Sequence, residues 1–120
     1  MALTRSAIVG AALSILDDYG LADLSMRRIA TSLGAAPAAL YWHVANKQTL
    51  LAALAEELLV GLAAPGELTR EGLSQWCTDL RDRLLAHRDG AELVSSVLAM
   101  RLLETSPVDL LAEALVQAGF

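Results

Sequence analysis

Hydrogen-bond donors and cations fall in two short groups early in the chain: Arg27 with Arg28, then Tyr41, His43 and Lys47. Guanidinium, phenol, imidazole and ammonium groups all donate to oxyanions, and the Arg fork also fits paired acceptors on a planar edge. Between the groups, Pro37, Ala38 and Ala39 offer only small apolar surface. Such a set is suited to binding. Chemistry on a substrate finds no comparable support: Ser95-Ser96 lacks the flanking glycines of a nucleophile elbow and has no His nearby. His43 and His87 lie in different regions and Cys77 is alone, without metal-ligand spacing, so no metal, disulfide or cofactor is expected.

The elements that must position these donors read as helices throughout. Thr4 caps a first helix to Tyr19, whose Ile8, Ala11, Ala12, Ile15, Leu16 and Tyr19 share one face, and Gly20 stops it. Ser25 caps a short second helix, Met26 to Leu33, with Ile29, Ala30 and Leu33 turned inward; Gly34 ends it where a tight turn needs positive φ. Pro37 suits the first turn of a brief third helix ending near His43. Asn46 caps a long fourth helix, Lys47 to about Leu62. A fifth, from about Thr69 to Ala86, is expected to bury Leu73, Trp76, Leu80 and Leu84. His87-Arg88-Asp89-Gly90 closes it, Ala91 to Leu103 makes a sixth, and Ser106-Pro107 with Asp109 opens a seventh. No strand-like alternation interrupts the series, so the fold class is all-α.

Composition agrees: 55% of residues are hydrophobic but only 4% aromatic, the mix of closely packed helices. No run of 18 apolar residues is present, the N-terminus reads as an amphipathic pattern so that no signal peptide is expected, and the lone Cys77 fits a reducing cytoplasm. The net charge of −5 is unevenly spread: residues 1–50 carry four cations against three anions, and residues 51–120 five against eleven. Any contact with a polyanion is therefore expected at the near-neutral N-terminal end, through a few well-placed groups or through a site doubled by dimerisation.

A helix, a Gly turn and a short helix, braced by a helix in front, form a helix-turn-helix. The resemblance becomes specific at Leu40-Tyr41-Trp42-His43-Val44-Ala45-Asn46-Lys47-Gln48-Thr49-Leu50-Leu51, with Leu24-Ser25-Met26-Arg27-Arg28-Ile29-Ala30 and Leu33-Gly34 upstream. These runs resemble the TetR (tetracycline-repressor-like) family of transcriptional regulators, strongly over about residues 4–62 and weakly beyond. Arg88-Asp89-Gly90-Ala91 resembles a run that the tetracycline repressors carry between two core helices.

The resemblance implies a DNA-binding head over residues 1–47 and a helical regulatory domain over 48–120, expected to be incomplete. It places Arg27 or Arg28 on a guanine edge or a phosphate and Pro37, Ala38 and Ala39 at the exposed start of the recognition helix, where the alanine methyls meet thymine methyls. Tyr41 and His43 would donate to phosphates, and Lys47 would join its charge to the N-terminus of the fourth helix. Leu40 is expected in the core, while Trp42 is divided between core and DNA face. Ala36 departs from the Ser or Thr that the family often has there, a loss of about 1 kcal/mol of capping.

In the second domain the resemblance implies an inducer cavity with Trp76, Leu80, Val94, Val97 and Leu98 as candidate walls. Val94 stands where the tetracycline repressors have a His, so the inducer is expected to be apolar. The implied function is a cytoplasmic, non-enzymatic repressor that binds palindromic operator DNA as a homodimer and is released by a small molecule. The alternative is a small-molecule-binding or protein-interaction module with a degenerate, non-DNA-binding helix-turn-helix.

Overall fold

A computed structural model describes residues 2–120, and all of its regular elements are helical. Thr4 Oγ1 accepts the Ala7 N–H at 3.0 Å and opens α1, Arg5–Tyr19. Gly20, at φ 89°, closes it by donating to Leu16 O. Ile8, Ala12, Ile15 and Leu16 form its buried face. Tyr19 does not complete that face as expected: it is 49% exposed, because the Arg28 side chain and not the core covers its ring. A single 3-10 turn, Leu21–Asp23, which the apolar pattern did not signal, leads into α2, Met26–Leu33.

Ser25 Oγ accepts the Arg28 N–H at 3.1 Å to cap α2. Gly34 ends it in the left-handed region, φ 66°, as the turn requires. The third helix, α3, is one turn, Pro37–Leu40, with Pro at its start and no side-chain cap from Ala36. Its backbone runs on as a turn through His43, since the N–H groups of His43 and Val44 both reach Leu40 O at 2.9 Å. Asn46 Oδ1 accepts both the N–H and the hydroxyl of Thr49 and starts α4, Lys47–Leu59. That helix ends three residues short of the expected Leu62, where Val60 turns to extended ψ and Gly61 adopts φ 81°.

The remaining helices are α5 (Arg70–Leu85), α6 (Gly90–Ala99) and α7 (Pro107–Gln117). Two expectations fail here. Leu73, Trp76, Leu80 and Leu84 are only half buried, and α5 has no fully buried residue although it packs on both α4 and α6. The sixth helix stops at Ala99 and not Leu103, with Arg101 at φ 55° turning the chain. The capping box of α7 forms as read: Ser106 Oγ accepts from Asp109 N–H and Asp109 Oδ2 from Ser106 N–H.

One apolar core runs through the molecule. Ile8 and Leu16 of α1, Leu24, Ile29 of α2, Leu40, Val44, Leu50 and Leu54 of α4, and Leu93 and Val97 of α6 are all essentially inaccessible. The fourth helix is the common wall, packing on α1 at one side and on α5 and α6 at the other. A displacement of α4 therefore reaches both halves of the chain.

Candidate nucleic-acid interface

The α3 segment is too short to hold itself. A one-turn helix is far below the length at which an isolated helix is stable, so α3 depends on its anchors. Leu40 at its end and Val44 just beyond are buried against the core. With those two fixed, the residues between them must face outward. Tyr41 is 50% exposed, Trp42 89%, and His43 is exposed as well. The core reading of Trp42 is thereby overturned: the inward direction at this turn is taken by its neighbours Leu40 and Val44.

Pro37 and Ala38 are exposed, while Ala39 is half buried and leans toward the core. A methyl contact from this helix therefore falls to Ala38 before Ala39. Lys47 is exposed at the first position of α4. Its ammonium accompanies first-turn N–H groups, of which that of Thr49 is already taken by Asn46.

Arg27 and Arg28 differ. Arg27 is exposed, whereas Arg28 is half buried with its Cζ 3.9 Å from the centroid of the Tyr19 ring. Both line a hollow of about 490 Å³ with Ala22, Asp23, Ser25 and Thr31. The structure thus keeps both guanidinium groups available at the start of α2, one free and one held.

A second cluster escaped the sequence reading. The loop between α5 and α6 docks on the end of α1, some 70 residues away. His87 Nδ1 lies 3.0 Å from both carboxylate oxygens of Asp17. Arg88 donates its N–H to Asp17 and its Nη1 to the carbonyl of Asp18, and Asp89 Oδ2 accepts the N–H of Leu21 at 2.9 Å. Asp89 itself sits at φ 56°. The run Arg88-Asp89-Gly90-Ala91 was visible as a resemblance, but it reads locally as a helix stop. Its partners at Asp17, Asp18 and Leu21 carry no local signal.

The five candidate cavity residues are not gathered around one hollow. Val94 and Val97 are buried core residues of α6, and Leu98 packs beside them. Leu80 is half buried on α5. Trp76, also half buried, donates its Nε1–H to Ala63 O at 2.7 Å and borders a shallow depression with Gly66, Glu67, Gln75 and Asp79. Among the described residues no three His, Cys, Asp or Glu side chains are grouped to hold a metal, and no helix is long and apolar enough to cross a membrane.

Comparison with known proteins places this geometry. The profile of bacterial regulatory proteins, tetR family, matches residues 8–54, the span from α1 into α4. The class D tetracycline repressor protein of Escherichia coli is 40% identical over 96 residues, 76% of this chain and 44% of the repressor. The crystal structure of BioQ superposes with a TM-score of 0.85 at 46% identity, covering all of this chain and 70% of that one. A second BioQ structure, with its double-stranded DNA operator, gives 0.78 at 47% identity over 85% of this chain and 62% of that chain. The chain spans less than half the length of the tetracycline repressor it matches. With its helical order, its Gly34 turn and its outward Tyr41-Trp42-His43 segment, the chain belongs to the TetR family of bacterial regulatory proteins.

Proposed function

We propose that the chain reads a palindromic DNA operator as a homodimer and acts as a ligand-responsive transcriptional repressor in the cytoplasm, without enzymatic activity. The observation that carries this is the outward Tyr41-Trp42-His43 segment held between the fully buried Leu40 and Val44, with Arg27 and Lys47 exposed near the starts of α2 and α4. An arrangement that spends two core anchors to expose a Tyr and a Trp side by side favours a partner at that face. BioQ, a relative of 46–47% identity, is seen with its operator.

Residues 1–47 form the DNA-binding head in this reading and residues 48–120 belong to the regulatory domain. Arg27 reads a base edge and Ala38 contacts a thymine methyl. Arg28, Tyr41, His43 and Lys47 contact phosphates, which set register and not sequence. Trp42 packs its exposed ring against the sugar-phosphate edge. Two heads held about 34–36 Å apart meet successive major grooves. An apolar inducer enters beside Val94, Val97 and Leu98, with Trp76 and Leu80 approaching from α5, and prying α6 from α4 shifts the heads off that spacing.

Selection of duplexes from a randomised pool by the full-length protein tests the proposal. It predicts enrichment of one inverted-repeat sequence with half-sites about one helical turn apart. A folded protein that enriches no sequence would refute it and promote the non-DNA-binding module.

A further inference from the structure

The two adjacent arginines of α2 are held differently. Arg28 is fixed at both ends. Its N–H is bound by Ser25 Oγ at 3.1 Å, and its guanidinium lies over the Tyr19 ring at 3.9 Å. The backbone that carries the ring is held: Tyr19 is the last residue of α1, and the carbonyl of Asp18 just before it accepts from Arg88 Nη1. Arg27, about 100° round the helix, is exposed.

A guanidinium stacked by one face keeps its edge N–H donors free, and it has already lost the rotamer freedom that phosphate binding would otherwise remove. The Arg28 side chain makes no hydrogen bond or ion pair with protein among the described residues. Tyr19, 49% exposed, adds little to the core. Its aromatic face is what this position uses.

We propose that Tyr19 is a positioning residue for DNA binding: it holds the Arg28 guanidinium so that its edge donors meet a duplex phosphate. Arg27 is thereby left free to read a base. This rests on the operator-binding reading above.

The test measures anisotropy of a duplex selected by the full-length protein, over a series of salt concentrations. Tyr19→Leu keeps the apolar bulk and loses the π face; Tyr19→Phe keeps both. Tyr19→Leu is expected to weaken binding about two- to five-fold per head, the range of an exposed cation–π contact, and Tyr19→Phe to stay near wild type. Arg28→Ala should reduce the magnitude of the salt slope by about 0.9 per head. In the Arg28→Ala background Tyr19→Leu should have no further effect. A loss of fold would weaken binding in both backgrounds alike, so the double mutant separates positioning from stability. Equal losses with and without Arg28, no loss on Tyr19→Leu, or an unchanged slope in Arg28→Ala overturns the inference while leaving operator binding intact. Failure to select any duplex overturns the operator reading, and this inference with it.

Discussion

Replacing Gly20 by Ala tests how the head is fixed to the rest of the molecule. Gly20 sits at φ 89°, ψ 172°, a region that side-chain-bearing residues scarcely visit, and occupying it costs about 1–3 kcal/mol. A Cβ there would also lie 2.8 Å from Asp89 Oδ2 and 3.2 Å from Arg88 Nε. The Asp89 carboxylate would have to withdraw, weakening its bond to the Leu21 N–H, a further loss of roughly 0.5–1.5 kcal/mol. The total is about 1.5–4.5 kcal/mol. Gly34 provides an internal control. It is left-handed too, φ 66° and ψ 28°, but no atom lies within 4 Å of its would-be Cβ, so Gly34→Ala carries only the backbone penalty of roughly 1–2 kcal/mol. Urea unfolding at constant m should therefore lower the midpoint clearly more for Gly20→Ala than for Gly34→Ala. Equal losses, or a milder effect at Gly20, would refute the claim that the α5–α6 loop is seated on the end of α1.

Further predictions concern the anchors and the contacts. Leu40→Ala removes a fully buried side chain under the recognition segment and should cost about 2–5 kcal/mol in thermal or chemical unfolding; a loss below 1 kcal/mol would mean that α3 is not held by its anchor. Arg27→Ala should relax sequence preference at one operator position by about 1–3 kcal/mol, whereas Lys47→Ala should weaken all duplexes alike and flatten the salt dependence, both read by competition anisotropy. The Ser106 N–H, and then its hydroxyl, hold the Asp109 carboxyl below its ordinary value of 3.8. A depressed folded pKa stabilises above the unfolded value, so the contribution of this cap should be intact at neutral pH and fade as pH falls below about 4 through the folded pKa. Asp109→Asn should remove that acid-range dependence from the melting profile; an unchanged profile would count against the capping box.

Much of the fold was legible because its signals are local. Thr4, Ser25, Asn46 and Ser106 each cap with an acceptor three residues from its donor, and Gly34 takes the positive φ its place in the turn demands. What escaped depends on partners distant in sequence. Tyr19 belongs to an apolar stripe by spacing, yet the neighbour that covers it is a cation on another helix. The stripe of α5 is regular, but the helices it packs on leave none of its residues fully buried. Trp42 was undecided because Leu40, Trp42 and Val44 compete for one inward direction, and burial of the outer two settles it. The docking of His87, Arg88 and Asp89 on α1 could not be read from either segment alone.

The proposed function requires this face to bind DNA through few, well-placed charges. Wild-type affinity for its selected duplex, measured against salt concentration, is the test. Arg28 and Lys47 assign two phosphate-neutralising cations to each head and four to a dimer, which predicts a log–log slope of about −3.6 and a loss of about 150-fold between 50 and 200 mM salt. A slope near zero, or binding indifferent to duplex sequence at every salt concentration, would contradict it.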